Sequence, residues 1–456
     1  MTDQGGGSMR EPLPPEAPGA PVFGSLFALR RDPIGTLTRT SDALGDCVHF
    51  RVGPGARAFF FRHPEQIKDV LVTHQHSFMK GRGLQWAKQF LGEGLLTSEG
   101  EFHRRQRRLT QPAFHGQRIP SYGAVMTDYA VRTRERWRDG QEMDLAREMM
   151  ALTMAVVAKT LFDADVGGEA DEIRESLTTI IGLFHRFNMP FARLVQRLPL
   201  PSNLRFRRAR VRLDATIYRM IAERRRSGQN RGDLLSMLLL ATDTEGDGTA
   251  MTDRQLRDEM MTLFLAGHET TANALTWTFF LLSQNPAAEA GLFAEVDRML
   301  GGRPPSVEDI PALRFTEQVF AESMRLYPPA WGVGRKAIRD QEIGGYRVPA
   351  GALVVMSAFV TQRDPRFFPD PGRFDPARFT AEARAARPRF AYFPFGGGAR
   401  QCIGEPFAWM EGVLILATIA QGWRLRLLPG HRVEPQALIT LRPRYGMRMV
   451  AERRRS

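Results

Sequence analysis

Cys402 lies in the run Phe395-Gly396-Gly397-Gly398-Ala399-Arg400-Gln401-Cys402-Ile403-Gly404, just ahead of an apolar stretch that reads as a helix. A cysteine placed there has its thiolate favoured by backbone N–H groups and by the positive helix end, which suits it to metal binding or nucleophilic attack. Arg400 adds positive charge and could hold an anionic group of a bound molecule. Glycines allow positive φ and let a loop pass close to a large flat ligand. A buried structural cysteine beside a glycine turn has the same local appearance. The other cysteine is Cys47, and two cysteines cannot make a disulfide framework.

A second candidate is Ala266-Gly267-His268-Glu269-Thr270-Thr271, in which Gly267 and Thr270-Thr271 interrupt the apolar run 260–266. A threonine hydroxyl can bond the carbonyl four residues back and open a helix locally. His268-Glu269 could begin a His-Glu-x-x-His zinc site, but Ala272 removes the second ligand. Incidental polar residues in a core helix are the plainer reading. Glu322 and Arg325 have the spacing of an ordinary helical ion pair. The charged run Phe102-His103-Arg104-Arg105-Gln106-Arg107-Arg108 is the kind that usually forms a solvated helix face.

Together these segments carry a specific resemblance. Residues 395–404 resemble the haem-binding loop of the cytochrome P-450 family, Phe-x-x-Gly-x-x-x-Cys-x-Gly, with every fixed position matched. The resemblance implies heme b with the Cys402 thiolate on iron, Phe395 beside the sulfur, Gly404 completing the loop and Arg400 on a haem propionate. Residues 266–271 resemble the family's oxygen-binding stretch, which makes Ala266 a haem neighbour and Glu269 and Thr270 an acid–alcohol pair that guides protons. By the same likeness, Glu322, Arg325 and Arg378 form a structural lock, the last from Phe374-Asp375-Pro376-Ala377-Arg378-Phe379. His103 and Arg107 are placed towards a propionate, although many relatives have Trp at the first position; Arg335 is a further propionate candidate.

The implied activity is a monooxygenase that inserts one atom of O2 into a lipophilic substrate, whether terpenoid, fatty acid or polycyclic. The implied pocket includes Phe78, Leu84, Trp86, Phe90, Leu263, Phe264, Ala330, Trp331, Val333, Leu438 and Ile439. No flavin or iron–sulfur module is recognisable, so electrons are expected from a ferredoxin or flavodoxin with an NAD(P)H-dependent reductase, docking on Arg104, Arg105 and Arg108. A peroxide-driven hydroxylase or a non-catalytic haem sensor or carrier is the alternative. The likeness is strongest to actinobacterial and myxobacterial terpene hydroxylases and weaker to bacterial fatty-acid hydroxylases.

The surrounding elements must hold these residues. Lys and Arg number 63 against 50 Asp and Glu, a net charge of +13 that fits nucleic acid, an anionic membrane or an acidic protein partner. No nucleic-acid module is recognisable, no apolar run reaches the roughly 18–20 residues that span a bilayer, and residues 1–8 lack signal-peptide features. A cytoplasmic monomer is expected. A Pro/Gly-rich arm covers 1–22 and one catalytic domain covers 23–456. A hairpin is expected at 45–62 around Gly53-Pro54-Gly55, with helices at 121–138, 144–162 and 204–228. Residues 252–285 read as one helix of about 50 Å, capped by Thr252 or Asp253 and stopped by Pro286. Strand-like pieces near 343–356, an irregular stretch 363–398, an apolar helix 403–422 and closing hairpins follow. The fold class is mainly α with small β-sheets, the cytochrome P-450 fold with its long central helix over the haem.

Overall fold

Phe59, Phe60 and Phe61 organise the first part of the chain, because successive side chains of a strand point to opposite faces. In the computed structural model, Cys47–Arg51 and Arg57–Phe61 form the expected antiparallel hairpin, pairing Cys47 with Phe61 and Phe50 with Ala58. Cys47, Phe59 and Phe61 enter one apolar cluster with Ile67, Leu71 and Phe78. Val48, Phe50 and Phe60 enter another with Leu37 and Val360. Burial on both faces explains the continuous apolar run where a half-exposed strand would alternate. Each buried phenylalanine contributes roughly 1.5–3 kcal/mol.

The structure describes residues 12–114, 119–163, 176, 179, 198–243, 246 and 248–454. They divide into two units whose segments interleave along the chain. The first unit takes Met1–Arg82, Ala330–Gly372 and Ala385–Cys402. Its five-stranded sheet runs Cys47–Arg51, Arg57–Phe61, Leu353–Met356, Val333–Ala337, Phe78–Lys80. Only the second and third strands are parallel; the other pairs are antiparallel. Residues 15–17 of the proline-rich arm lie along the edge strand, and residues 1–11 of the arm lie outside the described residues: Ala17 donates its N–H to His49 O at 2.8 Å, and His49 donates its backbone N–H to Pro15 O at 3.0 Å. Covering an edge with a proline-containing segment blocks further strand addition.

The second unit takes Gly83–Pro329, Arg373–Arg384 and Ile403–Ser456. Its axis is the central helix Asp253–Gln284. Thr252 Oγ1 accepts the Gln255 N–H at 3.3 Å and Gln255 Oε1 accepts the Thr252 N–H at 2.8 Å, a reciprocal cap. Pro286 opens the next helix, Pro286–Leu300, where the sequence places the stop. Residues 256–264 and 271–279 are buried without interruption, as expected of a helix that is apolar nearly all round. The helices Leu145–Phe162, Pro201–Ser227, Arg314–Leu326 and Glu405–Gly422 pack against it. A three-stranded sheet (Gln141–Asp144, Arg448–Arg453, Trp423–Leu427) and a hairpin (Pro435–Ala437 with Leu441–Pro443) complete the unit. Among the described residues, no helix is long and apolar enough to cross a membrane.

Candidate functional site

The cysteine loop is held on both sides by the first unit. Gly396 and Gly398 adopt φ of +73° and +67°, the region glycine favours. A Cβ on Gly398 would stand 1.9 Å from Leu71 O, and one on Gly397 would stand 2.5 Å from the Phe390 ring. Glycine is therefore required at 398 by packing as well as by dihedral angle, and at 397 by packing alone. Gln75 Oε1 accepts the Ala399 N–H at 2.9 Å, and Phe395 O accepts the Cys402 N–H at 3.0 Å, closing the loop. Gln362 Oε1 accepts the Phe393 N–H at 3.0 Å just ahead of it.

The two cysteines have opposite surroundings. Cys402 is exposed. Cys47 is buried in the sheet, its sulfur 2.8 Å from Gln66 Nε2. Burial first, and the Asp46 charge second, push the Cys47 thiol up to about 12. Cys47 is thus unfit to supply a thiolate at neutral pH. In the same unit, Arg335 is buried on strand Val333–Ala337 with Nη1 3.0 Å from Gly334 O, and Phe395 and Arg400 are half-buried.

On the central helix the burial pattern breaks at one face. Ala266 is exposed, and Leu265, Gly267 and Thr270 are half-buried, between fully buried stretches on either side. Thr270 Oγ1 donates to Ala266 O at 2.8 Å, the back-bond the sequence suggests. Behind that face, Thr153 Oγ1 donates to His268 O at 2.9 Å. His268 is buried with Nδ1 2.9 Å from Phe264 O, and burial holds it below the usual imidazole range. Ala272 leaves this enclosed imidazole without the second ligand of a zinc motif. Glu269 is buried as well, and its Oε1 accepts the Thr440 hydroxyl at 2.6 Å.

The Glu322–Arg325 pair is far from an ordinary surface pair. Arg325 Nε and Nη2 donate to the two carboxylate oxygens at 2.6 and 2.7 Å. Arg378 Nε lies 3.6 Å from Glu322 Oε1, Asp375 donates its N–H to the same oxygen at 2.9 Å, and Arg325 reaches Arg373 O at 3.1 Å. The structure brings together all three residues of the expected lock.

The helix Gly100–Thr110 buries His103, whose Nδ1 is 3.3 Å from Ser98 Oγ, and leaves Arg107 half-buried. Its arginines are less available than the sequence suggests. Arg108 makes two hydrogen bonds to Asp243, Arg105 bonds Thr249 Oγ1 at 2.6 Å, and Arg104 pairs with Glu101. Of the implied pocket residues, Phe78 belongs to the sheet core, Val333 packs against it, Trp331 packs against the other cluster, and Ala330 is exposed. Phe90, Leu263 and Phe264 are buried, Leu84 and Leu438 half-buried and Ile439 exposed. The Trp86 side chain lies outside the described residues.

Three acids or alcohols of the second unit escape sequence reasoning. Thr440 is one. Glu259 is another: it accepts the Leu95 N–H at 3.0 Å and the Gln106 amide at 2.9 Å, and burial pushes its carboxyl up to about 7. The third is Glu411 on the apolar helix Glu405–Gly422, fully buried and pushed by that burial up to about 8. Among the described residues, neither Glu411 oxygen has a well-formed hydrogen bond, and the nearby Thr271 hydroxyl is turned to Gly267 O.

Residues 14–446 match the family model described as Cytochrome P450. The chain belongs to the cytochrome P450 family. It is 43% identical over 425 residues to cyclooctatin synthase of Streptomyces melanosporofaciens, covering 93% of this chain and 92% of that one. It is 42% identical over 417 residues to cyclooctat-9-en-7-ol 5-monooxygenase of the same organism, covering 91% and 90%. Pentalenene oxygenase of Streptomyces avermitilis is 39% identical over 430 residues, with 93% and 94% covered. The fold is similar to the crystal structure of the cytochrome P450DA heme domain, with a TM-score of 0.88 at 25% identity over 98% of this chain and 99% of that one.

As a P450, the chain is a haem-thiolate monooxygenase that uses O2, redox partners and a lipophilic substrate. The haem of this family, with its axial cysteine thiolate, fits the donor set present. An exposed cysteine stands on a pinned glycine loop, and the other cysteine is enclosed with its thiol protonated.

Proposed function

We propose that this P450 oxygenates a polycyclic terpenoid, with Cys402 as the axial ligand and Glu269 and Thr270 as its proton-delivering pair. The observation that carries the reading is the break in burial on the central helix: Ala266 exposed, Thr270 half-buried and Glu269 enclosed one residue earlier. Haem supplies the oxidising chemistry, and the thiolate donates electron density that favours O–O cleavage. The protein's part is to orient, to exclude water and to move protons. Thr270 holds a hydroxyl at the open face, anchored on Ala266 O, while Glu269 offers a carboxylate one residue away. Arg400, Arg335, His103 and Arg107 are assigned to the propionates, Phe395 and Gly404 to the sulfur loop, and Glu322, Arg325 and Arg378 to the lock.

The terpenoid assignment draws on relatives named for cyclooctat-9-en-7-ol and pentalenene. It also draws on the apolar character of Leu84, Phe90, Leu263, Phe264, Ala330, Trp331, Val333, Leu438 and Ile439. An unpaired charge buried among such side chains would cost several kcal/mol, on the order of the known desolvation penalties. Electrons come from a ferredoxin or flavodoxin and its NAD(P)H-dependent reductase, and the protein works as a cytoplasmic monomer.

Thr270→Ala tests the reading. Haem content and the substrate-induced spectral shift should survive, because the side chain is not assigned to ligate iron. Product per NAD(P)H oxidised should fall about 100-fold, the low end of what positioned proton transfer contributes, with peroxide rising in its place. Full coupling in the variant would contradict the assignment. A peroxide-driven enzyme would instead turn over with peroxide alone, indifferent to the substitution.

A further inference from the structure

Glu269, Asn273 and Trp277 are spaced four residues apart, so they form one stripe along the central helix. All three reach the same short piece of the C-terminal hairpin. Thr440 Oγ1 donates to Glu269 Oε1 at 2.6 Å, and Asn273 Nδ2 donates to Thr440 Oγ1 at 3.2 Å. Trp277 Nε1 donates to Leu441 O at 3.0 Å. The other side of the same residue is fixed too, because Leu441 donates its N–H to Pro329 O at 2.9 Å. Thr440 and Glu269 are both buried, 171 residues apart in sequence.

The direction of these bonds matters. A hydroxyl has one proton to give. With the Asn273 amide donating into its oxygen, the Thr440 proton points to Glu269, and the carboxylate ends a three-residue chain, Asn273 to Thr440 to Glu269. Thr440 lies in the hairpin turn beside the exposed Ile439, and Trp277 and Pro329 anchor it through Leu441, the residue that follows it. The donor is rigid and the carboxylate it orients is one residue from the Thr270 hydroxyl.

We propose that Thr440, backed by Asn273, is a positioning residue for proton delivery, fixing the carboxylate of Glu269 relative to the open face of the central helix. The proposal rests on the reading of Glu269 as the proton-delivering acid. Geometry is where such a residue has leverage, because displacing a relay group by about an ångström costs as much as 10²-fold in rate.

The test is a coupling measurement on the holoenzyme with its redox partners, as product per NAD(P)H oxidised. Thr440→Val keeps the shape and removes the donor. Coupled product should drop about tenfold, with haem content and substrate-induced spectral shift as in the parent. Thr440→Ser keeps the donor and should restore coupling. Asn273→Leu removes the backing bond and should give a smaller loss, which covers the case in which the valine variant does not fold. In a Glu269→Gln background the Thr440→Val loss should disappear, because Thr440 acts through that carboxylate. If Glu269→Gln lowers coupling and Thr440→Val and Asn273→Leu do not, Thr440 has no positioning role and the proposal falls alone. An undiminished Thr440→Val loss in the Glu269→Gln background also overturns it. If Glu269→Gln is fully coupled, the reading of Glu269 falls and the proposal falls with it.

Discussion

Glu322 receives Arg325 Nε and Nη2 on its two oxygens at 2.6 and 2.7 Å, and neither side chain has any solvent exposure. Two charges removed from water are tolerable only when geometry is good and the remaining lone pairs are used. Here Asp375 N–H and Arg378 supply the further contacts to Glu322. The pair fastens the helix Arg314–Leu326 to residues 373–378.

Glu322→Gln should therefore act on stability. It leaves Arg325 buried without its counter-charge, a change that typically costs about 3–5 kcal/mol. Chemical denaturation of the haem-loaded protein should show a correspondingly lower midpoint. A midpoint within the scatter of the parent would show that the pair is dispensable.

Glu411 predicts a pH dependence. Its folded-state value of about 8 lies above the ordinary carboxylate value of 4.5 because burial disfavours the charge. The folded protein then binds a proton that the unfolded chain releases, so this residue's contribution to stability declines as pH rises from about 5 to 8. The change across that window is on the order of 3 kcal/mol. Glu411→Gln, neutral at every pH, should flatten the decline. Parallel stability curves for the two proteins between pH 5 and 8 would contradict the assignment.

Arg104 and Arg108 should separate by function. Asp243 is only 3% exposed and is held by Arg108, whereas Arg104 and its partner Glu101 are both well exposed. Removing Arg108 leaves a buried carboxylate without its best donor, so Arg108→Gln should lower the melting temperature. Arg104→Gln should spare stability and weaken the salt dependence of reduction by an acidic partner, since exposed charges are screened over about 8 Å at physiological ionic strength. Equal melting losses, or a salt dependence untouched by Arg104→Gln, would count against this division.

What the sequence reveals is mostly local. The central helix was bounded by Thr252 and Pro286 because caps and prolines act on adjacent backbone groups, and the hairpin followed from Gly53-Pro54-Gly55 between apolar runs. Two helix starts differ from their expected positions because proline sets the first turn. The helix expected from 204 starts at Pro201, since proline favours the first turn, and the one expected from 403 starts at Glu405, next to Pro406. The cysteine loop and the lock were legible through motif resemblance, and the sequence could not show that Glu322 and Arg325 are wholly buried. Thr440, Glu259 and Glu411 left no local trace. Thr440 and Glu259 take their meaning from partners on distant segments, and Glu411 takes its meaning from complete enclosure within an apolar helix.

The central claim is that Cys402, and not Cys47, provides the thiolate to haem iron, and the reduced carbon monoxide spectrum reads that ligand directly. Cys47→Ala should keep the red-shifted thiolate band, because its thiol is buried and held protonated with a value of about 12. Cys402→Ser should lose the band, since a neutral hydroxyl is a poor donor to iron. A thiolate band that persists in Cys402→Ser would contradict the account.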